Sequence, residues 1–305
     1  MKNPLFTGVC TALVTPFLDG KVNFAMLETL LQRQIDAGIR AVVICGTTGE
    51  SPTLSDEEKI ELFRRSKAYT GDACTVIAGT GSNSTEHAIR LSAAAQETGV
   101  DGLLIVTPYY NKTTPDGLIA HYSAIAEQVS LPVIAYNVPG RTGVDIPVGV
   151  YSKLAEIPNI AGVKEASTDI TKIARIRRNC SQDFSIWSGN DDQIVATMSL
   201  GGKGIISVLS NILPKETFAM TNAALQGDFE AAAELQCRLL PLIDALFCEV
   251  NPIPVKEALN LLGFDCGGYR LPLIPMAEKN AKQLQQALRD CTSVSYESKN
   301  IDTLV

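Results

Sequence analysis

The sequence predicts an α/β protein, a (β/α)8 TIM barrel with a C-terminal helical appendage. Three observations carry this reading. Short apolar runs recur eight times along the first two-thirds of the 305-residue chain. A segment of helical period follows each run. The alternation then stops near Gly227, and only helical patterns continue beyond it.

In chain order the expected strands are Val9–Val14, Ala41–Cys45, Thr75–Ala78, Gly102–Val106, Val133–Tyr136, Ile160–Val163, Ser185–Trp187 and Gly204–Val208. Each is a short apolar run bounded by polar or turn-forming residues, the pattern of a strand buried on both faces. The amphipathic segments between and after them are Asn23–Ala37, Ser55–Thr70, Ser84–Thr98, Asp116–Val129, Pro147–Glu156, Asp169–Asn179, Asp191–Leu200 and Pro214–Leu225. Several open on a capping residue or a first-turn proline; Ser55 with Glu58 three residues on reads as a capping box. A doubly wound open sheet is the rival, and it would carry a glycine-rich first turn. Gly8-Val9-Cys10-Thr11 has no such turn, and Gly79-Thr80-Gly81 lacks a third glycine at Ser84, which argues against a dinucleotide site. The expected division is a catalytic barrel over 1–227 and a helical domain over 228–305. The latter contains the helical patterns Asp228–Phe247, Pro252–Leu262 and Pro275–Thr292, and a polar tail, Ser293–Val305, that reads as frayed.

Composition bounds the partners. Net charge is -7 and pI about 5.0, which argues against nucleic acid or an anionic membrane as the main partner. Gly8–Phe17 is too short and too polar for a signal peptide or a membrane span, so a cytoplasmic protein is expected. The eight cysteines contain no CxxC pair and read as reduced thiols. His87 and His121, the two histidines, lie far apart in sequence and away from cysteine or acidic clusters, so no protein-bound metal is expected.

Chemistry is expected at the C-terminal ends of the strands, which form the active-site face of such a barrel. Lys164 follows the apolar run Asn159–Val163 and precedes Glu165. A buried ammonium is costly, so it is either ion-paired, with Glu165 or another acid, or a desolvated amine suited to imine formation. Other strand ends offer Gly46-Thr47-Thr48-Gly49-Glu50-Ser51, Thr107-Pro108-Tyr109-Tyr110-Asn111, Tyr136-Asn137-Val138-Pro139-Gly140-Arg141, Ser188-Gly189-Asn190-Asp191 and Ser207. Singly these are capping turns, rim aromatics and a surface charge. Together they supply an amine, phenols, hydroxyls and a guanidinium, the parts needed to form an imine and hold carboxylates. Lys203 precedes the eighth strand and belongs at the opposite end.

The GTTGE loop at 46–50, the Thr-Pro-Tyr-Tyr-Asn run at 107–111, Tyr-Asn-Val-Pro-Gly-Arg-Thr-Gly at 136–143, Val-Lys-Glu-Ala at 163–166 and Asn-Pro-Ile-Pro-Val-Lys at 251–256 resemble the dihydrodipicolinate synthase family of pyruvate-dependent class I aldolases. The resemblance runs from Phe6-Thr7-Gly8 to Arg270-Leu271-Pro272. It implies that Lys164 forms a Schiff base with pyruvate, whose enamine attacks L-aspartate-4-semialdehyde, in the first committed step of lysine biosynthesis. Tyr136, Thr47 and Tyr110 match the proton relay, Tyr110 reaching across a dimer interface. Thr48 matches the binder of the pyruvate carboxylate, Arg141 that of the semialdehyde, and Gly189 and Ile206 backbone contacts near the imine. The covalent imine is the only group implied; no cofactor is expected, and relatives suggest a homotetramer built from two dimers. Regulated members bind free lysine beside Tyr109. Ser51, Asn83 and Tyr109 match that pattern, whereas Asp56 and Lys59 replace two histidines and His87 replaces a glutamate. Weak or absent inhibition by lysine is therefore expected. The alternatives are an aldolase for a keto-deoxy sugar acid and a catalytically silent scaffold.

Overall fold

A computed structural model describes residues 4–292. Its eight barrel strands are β1 (Gly8–Ala12), β2 (Ala41–Ile44), β3 (Thr75–Gly79), β4 (Gly102–Val106), β5 (Val133–Asn137), β6 (Ile160–Glu165), β7 (Ser185–Ser188) and β8 (Gly204–Ser207). All neighbours are parallel, and β8 closes on β1. The helices after them are α1 (Phe24–Asp36), α2 (Asp56–Thr70), α3 (Thr85–Gln96), α4 (Pro115–Ala126), α5 (Val148–Leu154), α6 (Ile170–Asn179), α7 (Ile194–Ser199) and α8 (Pro214–Leu225). Then come α9 (Phe229–Leu246), α10 (Ile253–Leu261) and α11 (Glu278–Thr292), with no strand between them. The expected (β/α)8 barrel with C-terminal helices is the fold, and element ends differ from expectation by a turn or less.

Three differences have physical causes. β6 runs on to Glu165 because Tyr136 and Asn137 on one side and Trp187 and Ser188 on the other continue the ladder. Lys164 therefore lies inside the strand and not just beyond it. Residues Phe17–Leu18 and Lys21–Val22 form a small antiparallel hairpin before α1, turned at Asp19-Gly20. Asp191–Gln193 wind as a 3-10 turn before α7, because the Asp191 carboxylate bonds the Val208 and Leu209 amides rather than capping its own helix. The expected frayed tail, 293–305, lies outside the described residues.

Strand alternation sorts the core into two layers. Leu103, Ile105, Val133, Ala135, Val163 and Ile205 face the helices. Leu104, Ile134, Tyr136 and Ile206 face the barrel axis with Cys10, Val43 and Ile77. At the N-terminal end of the strands Phe6 stacks on Trp187 at 4.8 Å, and the indole N–H donates to the Phe6 carbonyl at 3.2 Å. This end of the interior is filled by aromatic packing, which leaves the opposite end for chemistry. The helix-facing layer is continuous with Leu239, Leu242 and Ile243 of α9, Val255 and Leu259 of α10, and Leu284 and Leu288 of α11.

The expected capping box forms at Ser55 and Glu58. All eight cysteines are free. No helix among the described residues is long and apolar enough to cross a membrane. His121, on α4, is buried; its Nδ1 lies 2.9 Å from the Thr85 hydroxyl, and its Nε2 has no partner among the described residues. Desolvation lowers its pKa from 6.5 to about 4. Between those values the unfolded chain binds a proton that the folded chain excludes, so stability is full above about 6.5 and falls as pH drops toward 4. The loss is on the order of 3 kcal/mol at most. Urea unfolding of His121→Gln is expected to lack this component of acid sensitivity; the same slope in both proteins would exclude it.

Candidate active site

Among the described residues four lysines are buried: Lys59, Lys164, Lys172 and Lys256. Lys59 sits 3.5 Å from Asp56, Lys172 is paired with Asp145 and lies 3.8 Å from Glu165, and Lys256 is 2.8 Å from Glu50. Lys164 forms no ion pair among the described residues. Its Nζ stands 4.3 Å from the centroid of the Tyr136 ring, its cross-strand neighbour on β5. A cation over an aromatic face is stabilised by the ring quadrupole, by about 0.5–2 kcal/mol.

Glu165 does not neutralise Lys164, because adjacent strand residues point to opposite faces. The Glu165 carboxylate lies in the helix-facing layer. It accepts bonds from Tyr151 Oη at 2.6 Å, Asn137 Nδ2 at 2.8 Å and the Ser167 amide at 2.8 Å. This network ties β5, β6 and α5 together behind the two axis-facing residues. Gly189 supplies room in front of them: a Cβ there would meet the Ala166 Cβ at 2.5 Å and Lys164 Cε at 3.1 Å. Asp191 is also buried and feels the Lys164 charge. Desolvation raises its pKa, against hydrogen bonds from Ser207, Leu209 and Val208.

The loop after β2 is fixed by its backbone. Cys45 and Glu50 hold left-handed φ values of 57° and 55°, a strain of about 1–3 kcal/mol each for residues other than glycine. Gly79 permits the approach, since a Cβ there would fall 2.2 Å from the Cys45 carbonyl oxygen. Thr15 Oγ1 donates to the Gly49 carbonyl at 2.7 Å. The Glu50 carboxylate receives Lys256 from α10, and also the Arg270 amide at 3.2 Å. The C-terminal segment thus clamps the loop that carries Thr47 and Thr48.

A cavity of about 250 Å³ opens at this end, and its lining includes Thr47, Tyr109, Tyr136 and Arg141. Tyr136 is shared: it lines the cavity and covers Lys164. Lys164, Thr48, Gly189 and Ile206 lie outside that lining; Lys164, Thr48 and Ile206 are buried and Gly189 is half-buried. Thr48 is 2% exposed, and its hydroxyl accepts from Asn251 Nδ2 at 3.0 Å. Arg141 donates Nη2 to the Asn251 carbonyl at 3.1 Å, a neutral partner that leaves the guanidinium charge available. Ile206 is fully buried in the axial layer. Tyr110 does not join the others; its side chain is 92% exposed on a left-handed backbone at φ 71°. Lys203 lies at the start of β8, as expected for an amine at the opposite end. Lys256 is enclosed by Glu50 and the Phe17 ring, 4.3 Å away.

Asn251 contacts two of the sequence-predicted site residues, Thr48 and Arg141, and strand-end reasoning missed it. It is uncharged and lies in the helical appendage, far from any strand; its only signal in sequence is its place ahead of Pro252 in the 251–256 segment. No cluster of three or more His, Cys, Asp or Glu residues that could hold a metal occurs among the described residues.

Residues 5–291 match the model of the dihydrodipicolinate synthetase family. A 4-hydroxy-tetrahydrodipicolinate synthase of Caldicellulosiruptor saccharolyticus is 51% identical over 94% of this chain and 97% of its own length. A chloride-inhibited dihydrodipicolinate synthase of Acinetobacter baumannii, solved in complex with pyruvate, is 44% identical over 94% of this chain and 99% of that one, with a TM-score of 0.92. The enzyme of Cyanidioschyzon merolae, solved with lysine bound, is 43% identical over 95% of this chain and 99% of that one, also with a TM-score of 0.92.

Proposed function

The chain belongs to the dihydrodipicolinate synthetase family, and on that premise we propose that it is a lyase that joins pyruvate to L-aspartate-4-semialdehyde through a Schiff base on Lys164. The observation that carries this is the sorting of the buried lysines among the described residues: three have carboxylate partners, and Lys164 has no ion pair and stands over the Tyr136 ring. In this reaction the Lys164 amine adds to the pyruvate ketone and water leaves, giving a protonated imine. Loss of a methyl proton gives an enamine, whose carbon bonds to the aldehyde carbon. The amino group of the semialdehyde then closes the ring and releases Lys164. Tyr136 moves protons at the imine, with Thr47 and Tyr110 completing the relay. Thr48 binds the first carboxylate and Arg141 the second, and Gly189 and Ile206 line the imine with backbone. The covalent imine is the only group the chemistry requires.

The exposed Tyr110 supports an assembled enzyme, in which a second copy receives that phenol and the tetramer is the working form. Asp56 supports weak inhibition by lysine. Desolvation pushes its carboxyl up, but hydrogen bonding to His87 and the charges of His87 and Lys59 outweigh this and hold it below its ordinary value. His87 Nε2 is 2.7 Å from the carboxylate. Lys59 and His87 line the same cavity as Ser51 and Tyr109, so a cationic effector would meet a like charge and an acid already paired.

Borohydride reduction with pyruvate, followed by peptide mapping, is expected to fix a three-carbon adduct on Lys164 and none in Lys164→Ala. Labelling of Lys203 or Lys256 instead would overturn the assignment. Turnover is expected with aspartate semialdehyde; turnover with glyceraldehyde alone would favour the sugar-acid aldolase. The same preparation is expected to sediment as four chains, and full activity in a monomer would remove the role given to Tyr110. In steady-state assays, millimolar lysine is expected to leave the rate nearly unchanged; half-inhibition below that range would refute the effector reading.

A further inference from the structure

Asn251 lies just ahead of α10 and is 6% exposed. It touches both residues assigned above to anion binding, by different atoms. Its side-chain Nδ2 donates to Thr48 Oγ1 at 3.0 Å, and its backbone carbonyl accepts from Arg141 Nη2 at 3.1 Å. Its own Oδ1 has no partner among the described residues, so the Thr48 bond is the contact that orients the amide. A threonine hydroxyl carries one proton and two lone pairs. When Thr48 accepts from Asn251, that proton stays free for a third group, and accepting one bond strengthens the bond the hydroxyl donates.

We propose that Asn251 is a positioning residue for the first substrate: its amide holds the Thr48 hydroxyl as an acceptor, so the hydroxyl's proton is delivered to the carboxylate of a 2-oxo acid. The inference deepens the proposed reaction and rests on the role given there to Thr48. It also gives the C-terminal helices a part in the site. A side-chain change at Asn251 leaves its backbone carbonyl in place, so the bond to Arg141 persists and the two anion sites respond separately. Replacing the amide by a carboxylate reverses the bond: the Thr48 proton turns toward the new acceptor, and a negative charge faces the substrate.

The test is borohydride trapping on Lys164 with pyruvate alone, read as the pyruvate concentration giving half-maximal adduct. Asn251→Ala is expected to raise that concentration about tenfold, the effect of one lost hydrogen bond. Asn251→Asp is expected to raise it about a hundredfold at neutral pH, from bond reversal plus charge. The Asp deficit relative to the unmutated protein should shrink between about pH 8 and about pH 6, because burial raises the introduced carboxyl's pKa and its protonated form can donate to Thr48 again. The Ala deficit should not change with pH. The KM for the aldehyde at saturating pyruvate should stay within about twofold in both variants, and in a Thr48→Val background Asn251→Ala should add less than about twofold. Half-trapping concentrations unchanged in both variants, or Ala and Asp deficits equal at every pH, would overturn the inference, and so would full additivity with Thr48→Val. If Asn251→Asp does not fold, the Ala and Val variants still decide it. Absence of any adduct on Lys164 in the unmutated protein would instead remove the proposed reaction, and this inference with it.

Discussion

The ammonium of Lys164, held over the face of Tyr136 inside the barrel, is the contact around which the rest is arranged. Removing an ammonium from water costs several kcal/mol unless a partner restores the loss. Among the described residues, each other buried lysine has a carboxylate partner, and this one has an aromatic ring without a carboxylate. That arrangement can persist only in a scaffold that keeps Lys164 and Tyr136 in register. The ladder between β5 and β6 does so directly by pairing the two residues. The Glu165 network behind it locks the same strands from the helix side.

The same logic extends outward to the loop at 46–50. Its strained backbone at Cys45 and Glu50 needs a counterweight, and the Glu50–Lys256 pair provides it. Breaking one partner of a pair this deeply buried leaves an uncompensated charge, a cost of about 3–5 kcal/mol. The C-terminal segment is therefore not merely packed on the barrel. It supplies Lys256 and Arg270 to the loop and Asn251 to both Thr48 and Arg141.

Much of this was legible in the chain before folding was considered. The eight runs and their helices set the barrel, because burial on both faces leaves strands nearly all apolar and helices amphipathic. Given a barrel, strand ends become the functional rim, so Lys164, Tyr136, Thr47, Thr48 and Arg141 could be gathered from one rule. Asn251 could not, because that rule says nothing of residues outside the barrel. Nor could the 92% exposure of Tyr110, which the same rule would have placed among the others.

By itself the sequence determined the fold class, and it gathered at the C-terminal ends of the strands the residue types from which the proposed site is built. It left open whether Lys164 is ion-paired with its neighbour Glu165. Only the tertiary structure decided that, since Glu165 is adjacent in sequence yet opposite in space, with its carboxylate bonded to Tyr151, Asn137 and Ser167. Periodicity reports which face a residue occupies; it does not report which partner, tens of residues away, meets it there. The pairing of Lys256 with Glu50, and of Asn251 with Thr48, are decisions of the same kind.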